Sequence, residues 1–286
     1  MFVAVNGQKI FFDVVGSKLA ADGPRMHEKP TFLVLHGGPG FDHSGLRGDF
    51  DGFADIAQVI YLDHRGNGRS VPSDPATWTL AQWGDDIRGF CDALGIEHPI
   101  VLGQSFGGMV AQSYATRHPD HPRALILSST AARMDLEGSL EIFAQKGGPE
   151  ARAIAERFWN KAADADVADY MRVCMPLYNR GARPDDANAR QRAIMRFEVY
   201  RHFSLPGGEI RTMDYRAALA KISCPVLVMG GEDDPITPPH LAREIVASLP
   251  KGRAELRLFD HCGHGAFRDD PARALPVIRA FVEKNT

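Results

Sequence analysis

Residues Pro99 to Val110 read P-I-V-L-G-Q-S-F-G-G-M-V, an apolar run, a glycine-flanked serine and a segment of helical period. The apolar run predicts a buried strand, and the segment after it predicts a helix. A sharp turn between them would expose the hydroxyl of Ser105 at the C-terminal edge of a sheet. Gly103 and Gly107 support this turn, because a serine held in it leaves little room for side chains two residues away. The stretch therefore predicts a G-x-S-x-G nucleophile elbow.

Composition limits the classes of protein to consider. The 286 residues are 44% hydrophobic, enough for one large core with an inserted subdomain or for two domains. The formal net charge of −3, with both signs spread along the chain, argues against a nucleic-acid partner. No apolar run is long enough to cross a bilayer, and the N-terminus lacks the pattern of a signal peptide. We therefore expect a cytoplasmic protein with no membrane partner, although a mature exported chain would show the same pattern.

The cysteines and glycines give no sign of a metal or a cofactor. Cys91, Cys174, Cys224 and Cys262 are widely spaced, which is typical of reduced thiols rather than of a metal site. No G-x-G-x-x-G pattern follows a predicted strand, and no set of His, Asp or Glu has the spacing of metal ligands. We expect neither a cofactor nor a metal.

Apolar strands alternate with helices along most of the chain. A hairpin around Asn6-Gly7 opens it, and residues 16–29 predict a polar loop. A helix is predicted over residues 80–94, with Thr79 as its N-cap and Gly95 as its C-terminal stop. This alternation predicts an α/β fold with a mostly parallel central sheet and helices on both faces.

The alternation stops between about residues 131 and 212, where the pattern predicts helices only, one of them over Ala189 to His202. It resumes with an apolar strand at 225–229. We therefore expect a catalytic domain made of residues 1–130 and 213–286. Residues 131–212 would form an inserted helical cap over the elbow.

Two predicted strand ends beyond the insertion carry the groups that a nucleophilic serine needs. The segment G-G-E-D-D-P at 230–235 follows one strand, and D-H-C-G-H-G at 260–265 follows the next. The carboxyl ends of parallel strands meet at one edge of a sheet, so these loops should lie beside the elbow. The order of serine, acid and histidine is one of the known orders of a catalytic triad.

Five motifs together resemble the α/β-hydrolase superfamily. They are H-G-G-P-G at 36–40, D-H-R-G-N-G-R-S at 63–70, G-Q-S-F-G-G at 103–108, G-G-E-D-D-P at 230–235 and G-H at 263–264. The first two motifs together most resemble the prolyl aminopeptidase (proline iminopeptidase) family and its esterase-like relatives. The resemblance covers about residues 1–130 and 220–286, and it implies an α/β-hydrolase fold and serine hydrolase activity.

The resemblance also implies a triad. The family's G-x-x-D pattern places Asp234 at the acid position, with Asp233, one residue away, as the alternative. The G-H pattern selects His264 as the base, and His261, which lacks a preceding glycine, is expected to be structural. His264 would take the proton of Ser105, and Asp234 would hold the imidazole in the required tautomer.

Backbone N–H groups are expected to form the oxyanion hole. Phe106 would supply one of them, and Gly38, or Gly37 in its place, would supply the other. The charged residues of the 63–70 loop, Asp63, Arg65 and Arg69, are expected to brace that loop by charge-assisted hydrogen bonds.

The predicted cap should decide the substrate, which a serine elbow limits to esters, amides, short peptides and related small molecules. Prolyl aminopeptidases are expected to bind a free amino group with cap glutamates. Glu198 is the candidate here, with a solvated helix carboxylate as the alternative. Glu209 is a second, but its spacing to Asp234 is too short for the family pattern.

Aromatic residues of the predicted cap are candidates for an apolar substrate pocket. We single out Trp159, Phe197 and Tyr200, with packing inside the cap as the alternative for each. Three functions stay open at this point. They are a prolyl aminopeptidase-like hydrolase, a short-acyl carboxylesterase or lactonase, and a non-catalytic binding protein on a hydrolase scaffold.

Overall fold

A computed structural model describes residues 1–181 and 191–286 of the chain. Part of the helix predicted over Ala189 to His202 and part of the predicted cap lie outside these described residues. The strands are β1 (Phe2–Val5), β2 (Gln8–Val15), β3 (Leu19–Asp22), β4 (Arg25–Glu28), β5 (Thr31–Leu35), β6 (Gln58–Leu62), β7 (Ile100–Gln104), β8 (Ala124–Ser128), β9 (Val226–Gly231) and β10 (Ala254–Phe259).

Most helices follow strands of the sheet or lie between β8 and β9. They are α1 (Leu80–Leu94), α2 (Phe106–Arg117), α3 (Leu136–Asn160), α4 (Asp164–Val173), α5 (Phe197–Ser204), α6 (Glu209–Thr212), α7 (Arg216–Leu219), α8 (Pro239–Ser248), α9 (Ala266–Asp269) and α10 (Pro271–Lys284). Helix α3 is broken at Gly148, whose φ of 75° and ψ of −175° are not helical. None of the helices in the described residues is long and apolar enough to span a membrane.

Eight strands form one sheet in the order β1-β2-β6-β5-β7-β8-β9-β10. β1 and β2 pair antiparallel, as do β2 and β6, and every later neighbour pairs parallel. All residues of β5, β7 and β8 are buried. A strand covered on both faces must be apolar throughout, which explains the uninterrupted apolar runs. The predicted α/β fold with a mostly parallel sheet is confirmed.

The two faces of the sheet carry separate apolar clusters. Leu33 and Leu35 of β5 pack into one cluster, whereas Phe32 and Val34 pack into the other. Side chains alternate across a strand, so each central strand contributes to both. Helices α1 and α2 cover the first face and α10 covers the second.

Local signals set most of the element boundaries. Thr79 accepts a hydrogen bond from the N–H of Gln82, and Gly95 ends α1 with a φ of 63°, as predicted. The predicted hairpin at Asn6-Gly7 is also present. The predicted polar loop at 16–29 is wrong, because β3 and β4 form a second hairpin there. Its side chains are mostly exposed, so no apolar alternation signals the strands.

The described residues between β8 and β9 form helices, turns and loops, without a strand. Helices α3 and α4 build a third apolar cluster of their own around Phe143, Phe158 and Tyr170. Helix α5 instead sends Val199 and Phe203 into the core on the first face of the sheet. The segment between β8 and β9 is called the inserted segment below.

Candidate active site

Ser105 lies between the end of β7 and the start of α2, with φ 55° and ψ −120°. A positive φ in a residue with a side chain is strained, by about 1–3 kcal/mol, and persists only where the surroundings hold it. A Cβ added to Gly103 would collide with the carbonyl of Gly107. A Cβ added to Gly107 would collide with the carbonyls of Leu35 and His36. Gly103 is therefore required by the turn itself, and Gly107 is required by the close approach of the chain at the end of β5.

Asp234 contacts His264 in the loops after β9 and β10. Nδ1 of His264 lies 3.0 Å from Oδ1 and 2.9 Å from Oδ2 of Asp234. The N–H groups of Ile236 and Thr237 donate to Oδ1 at 2.8 and 2.9 Å, and the Thr237 hydroxyl donates to Oδ2 at 2.8 Å. Burial by itself raises the pKa of Asp234, but the charge and hydrogen bond of His264 and these donors outweigh burial and lower that pKa.

Asp233, the alternative acid, and His261, which was expected to be structural, both contact Arg180. Asp233 forms an ion pair with Arg180 at 3.2 Å. His261 is exposed, and its Nδ1 accepts a hydrogen bond from Arg180 at 3.1 Å. Of the two acids and two histidines, Asp234 and His264 form the buried pair.

The loop of His264 approaches the elbow. A Cβ on Gly265, the next residue, would lie 3.6 Å from Nε2 of Gln104, the residue before Ser105. Strand pairing also brings the loops together, since the N–H of Ser105 donates to the Ser128 carbonyl at 2.9 Å. The carboxyl ends of neighbouring parallel strands therefore converge here, as the fold leads one to expect.

The loop after β5 lies against the other side of the elbow. A Cβ on Gly37 would be 3.0 Å from the Cβ of Ser105, and Gly38 has a φ of 47°. Phe106 is the first residue of α2, so its N–H has no acceptor within the helix, and the helix start carries a partial positive charge. The start of a helix is a position at which a backbone N–H group can stabilise negative charge.

Polar contacts, most of them buried, brace the loops after β5 and β6. Arg65 donates two hydrogen bonds to Asp86, at 2.6 and 2.7 Å. The Asp63 carboxylate accepts from the N–H groups of His43 and Arg69, at 2.9 and 2.8 Å. The expected bracing by Asp63, Arg65 and Arg69 is confirmed by these bonds and by the ion pair of Arg69 with Asp42 at 2.7 Å.

His36 supports its own loop in a neutral form. Its Nε2 accepts a hydrogen bond from the N–H of His64 at 3.1 Å, which requires the deprotonated nitrogen. Burial lowers the pKa of His36, and the nearby carboxylate of Asp63 only partly opposes this. His36 is therefore part of the scaffold behind the glycines at 37 and 38.

The inserted segment is bonded directly to the loops after β5 and β6, which the sequence did not predict. The N–H of Arg196 donates to the carbonyl of Gly40 at 2.7 Å, and its guanidinium donates to the carbonyl of Gly68 at 3.1 Å. The N–H of Ile194 donates to the carboxylate of Asp42 at 2.9 Å. These contacts join residues more than a hundred positions apart and leave no local sequence pattern.

The candidate substrate residues occupy different environments. Glu198 is exposed in the first turn of α5, and Phe197 beside it is half-buried. Trp159 and Tyr200 pack against the third apolar cluster, as the packing alternative expected. The Tyr200 ring stacks on Phe158 at 4.8 Å, and its buried hydroxyl has no hydrogen-bond partner among the described residues.

The Glu209 carboxylate is bonded to helix α1. It accepts a hydrogen bond from the N–H of Leu80 at 2.7 Å, at the first turn of α1. Burial raises the pKa of Glu209, and this hydrogen bond and the nearby His202 oppose that rise. The carboxylate is thus occupied at the start of a helix, where a negative charge is favourable.

Comparisons with known proteins agree with this fold. Residues 30–271 match the alpha/beta hydrolase fold family. The chain is 29% identical to proline iminopeptidase PfmaB of Pestalotiopsis fici over 296 residues, which cover 99% of each chain. It is 31% identical to a proline iminopeptidase of Levilactobacillus brevis over 268 residues, which cover 84% of each. The crystal structure of a Mycobacterium smegmatis proline iminopeptidase superposes with a TM-score of 0.80 at 26% identity, over 100% of this chain and 98% of that one.

Proposed function

The chain belongs to the α/β-hydrolase fold family, and from this membership we propose that it is a serine hydrolase most like the prolyl aminopeptidases. Its similarity to proline iminopeptidases shows that it is a hydrolase, but not which bond it cleaves. We infer an ester or amide bond of a small substrate, cleaved through an acyl-enzyme. The observation that carries the proposal is the buried Asp234–His264 pair, together with the approach of the His264 loop to the strained elbow of Ser105.

In the proposed reaction, Ser105 is the nucleophile, His264 transfers the proton and Asp234 orients His264. Nδ1–H of His264 donates to Asp234, which leaves Nε2 to take the proton of Ser105 as its oxygen attacks the carbonyl carbon. The carbonyl electrons move onto oxygen, where the N–H of Phe106 and that of Gly38 or Gly37 stabilise the charge. His264 passes the proton to the leaving group as the bond breaks. Water then repeats these steps to release the acid.

We further propose that residues 131–212 form a cap that binds the substrate. Support comes from Arg196, whose N–H is bonded to Gly40 beside the proposed oxyanion hole. Glu198 follows two residues later with an exposed carboxylate that could meet the ammonium group of an N-terminal residue. In this form of the proposal, the substrate has a free amino group, as a prolyl amide does.

A short-acyl carboxylesterase or lactonase is the second candidate, and one observation favours it. Glu209 is the other glutamate considered for binding the amino group, but its carboxylate accepts a hydrogen bond from the N–H of Leu80. An ester or lactone needs no ammonium anchor, so this occupied carboxylate fits such a substrate.

A substrate panel separates the candidates. Prolyl and other aminoacyl naphthylamides are compared with p-nitrophenyl acetate and butyrate, with Ser105→Ala as the blank. A prolyl aminopeptidase should turn over prolyl naphthylamide fastest and lose that activity in Glu198→Gln. Glu156→Gln removes an exposed glutamate of α3 and is the matched control.

The outcomes test the role of Glu198 and separate the candidate functions. Unchanged turnover of prolyl naphthylamide in Glu198→Gln removes Glu198 from the site. Faster turnover of the p-nitrophenyl esters than of any aminoacyl amide selects the esterase. If a fluorophosphonate probe does not label Ser105, the serine hydrolase proposal is wrong and the non-catalytic alternative takes its place.

A further inference from the structure

The main chain of His264 is held by residues 178–180 of the inserted segment. The N–H of His264 donates to the Tyr178 carbonyl at 2.7 Å. The His264 carbonyl accepts a hydrogen bond from Nδ2 of Asn179 at 3.2 Å. Both backbone polar groups of the candidate base are therefore bonded to the inserted segment, which is more than eighty residues away along the chain.

Asp269 ties the same two pieces of chain together. Its Oδ2 accepts from the N–H of Gly263 at 2.6 Å and from Nδ2 of Asn179 at 3.2 Å. Its Oδ1 accepts from the N–H of Arg180 at 2.8 Å. A charged acceptor makes these bonds stronger than neutral ones. One carboxylate thus joins the residue before His264 to two residues of the inserted segment.

The approach of the two pieces of chain is close. A Cβ on Gly263 would overlap the carbonyl oxygen of Tyr178, so only glycine fits before His264. The Tyr178 ring stands edge-on to the imidazole, with ring centroids 5.5 Å apart and an interplanar angle of 84°. The imidazole is therefore constrained by its backbone, by a ring at one side and by Asp234 at Nδ1.

We propose that Asn179 and Asp269 are positioning residues that hold the candidate base, an inference that rests on the proposed serine hydrolase function. Neither residue contacts the reacting atoms. They act through the main chain of His264, which sets where Nε2 lies relative to Ser105. A displacement of about 1 Å in a catalytic group can lower the rate by about 10²-fold.

The expected effect is a loss of turnover without a loss of substrate affinity. Asn179→Ala removes the donors to the His264 carbonyl and to Asp269, and we expect kcat to fall about 10- to 100-fold. KM should stay near the wild-type value, because the substrate contacts remain. Asn179→Asp keeps the shape but lacks the N–H donors, so it should lose at least as much turnover.

Asp269→Asn tests the second anchor, and Asn160→Ala is the matched control. Asn160 accepts a hydrogen bond from Arg211 at 3.2 Å within the inserted segment. Its replacement therefore removes an amide of the same segment that is not bonded to His264. The double variant Asn179→Ala with Asp269→Asn should lose less than the product of the single losses, because the two residues share a bond. If Asp269→Asn does not fold, the two Asn179 variants still test whether the inserted segment positions His264.

The rate of fluorophosphonate labelling at Ser105 provides a readout that does not depend on the substrate. Slower labelling and lower kcat in Asn179→Ala and Asn179→Asp, with Asn160→Ala like wild type, support the inference. Wild-type kcat in the Asn179 variants, or equal loss in Asn160→Ala, overturns it while the proposed function stands. A wild-type protein that is neither labelled nor active overturns both.

Discussion

Replacing Asp234 by asparagine tests the candidate acid directly. The Asp234 carboxylate is fully buried and accepts hydrogen bonds from His264, from the N–H groups of Ile236 and Thr237, and from the Thr237 hydroxyl. Asparagine keeps the shape but replaces one acceptor oxygen by an NH₂ donor. At least one existing donor must then face another donor, or the imidazole must take the other tautomer.

Two magnitudes follow from this arrangement. A triad that loses its carboxylate leaves the imidazole in the wrong tautomer, and kcat falls by about 10⁴-fold in such a case. Hydrogen bonds to a charged group contribute about 1.5–3 kcal/mol each, so the free energy of unfolding should fall by roughly that amount. The loss of activity is therefore far larger than instability alone would produce at moderate temperature.

The neighbouring residue provides the control. Asp233→Asn changes an acid that is bonded to Arg180 rather than to His264, and it should keep turnover close to wild type. The assays are initial rates on the best panel substrate, fluorophosphonate labelling of Ser105 and urea unfolding. Wild-type turnover in Asp234→Asn, or an equal loss in Asp233→Asn, would refute the assignment of the acid.

The same carboxylate predicts how stability depends on pH. The His264 charge and the N–H donors outweigh burial, so the pKa of Asp234 lies below its ordinary value in the folded protein. A lowered carboxyl pKa stabilises the fold above the unfolded pKa of about 3.9 and loses that contribution as the pH falls through the folded value. The stability difference between wild type and Asp234→Asn should shrink as the pH falls below about 4. Urea unfolding across pH measures it, and a difference that grows in acid would contradict the sign.

Two further predictions concern the scaffold and the inserted segment. Arg65→Leu leaves the buried Asp86 without its cation, so the free energy of unfolding should fall by about 3–5 kcal/mol, whereas Arg88→Leu, at an exposed pair, should change it by less than about 1 kcal/mol. Equal effects in urea unfolding would refute this difference. Tyr200→Phe removes a buried hydroxyl that has no partner in the described part of the chain, so stability should stay the same or rise by about 1 kcal/mol. A lower melting temperature would show that the hydroxyl has a partner, and a raised KM would place it against substrate.

Much of the fold could be predicted because its signals are local. The buried strands β5, β7 and β8 are apolar throughout because both of their faces are covered. The Thr79 cap and the Gly95 stop depend on residues within a few positions of the helix ends. The second hairpin, β3 and β4, was missed because its mostly exposed side chains carry no apolar period.

The candidate site was predictable in part. Three acids, Glu232, Asp233 and Asp234, follow β9 and two histidines follow β10, and residue patterns alone did not choose among them. The resemblance selected Asp234 and His264, and the structure pairs these two at 2.9 Å in a buried site. Only tertiary contacts distinguish the two candidates from their neighbours. Asp234 pairs with His264, whereas Asp233 and His261 both contact Arg180.

The sequence by itself determined part of the elbow, since Gly103 must leave room for the carbonyl of Gly107, only four residues away. Tertiary structure decided how the inserted segment holds the site. Its bonds run from Tyr178 and Asn179 to His264 and from Arg196 to Gly40. Each of these bonds uses at least one backbone group, which almost every residue type carries, across a long separation in the chain. Because they produce no periodicity or spacing in the sequence, only the tertiary structure shows them.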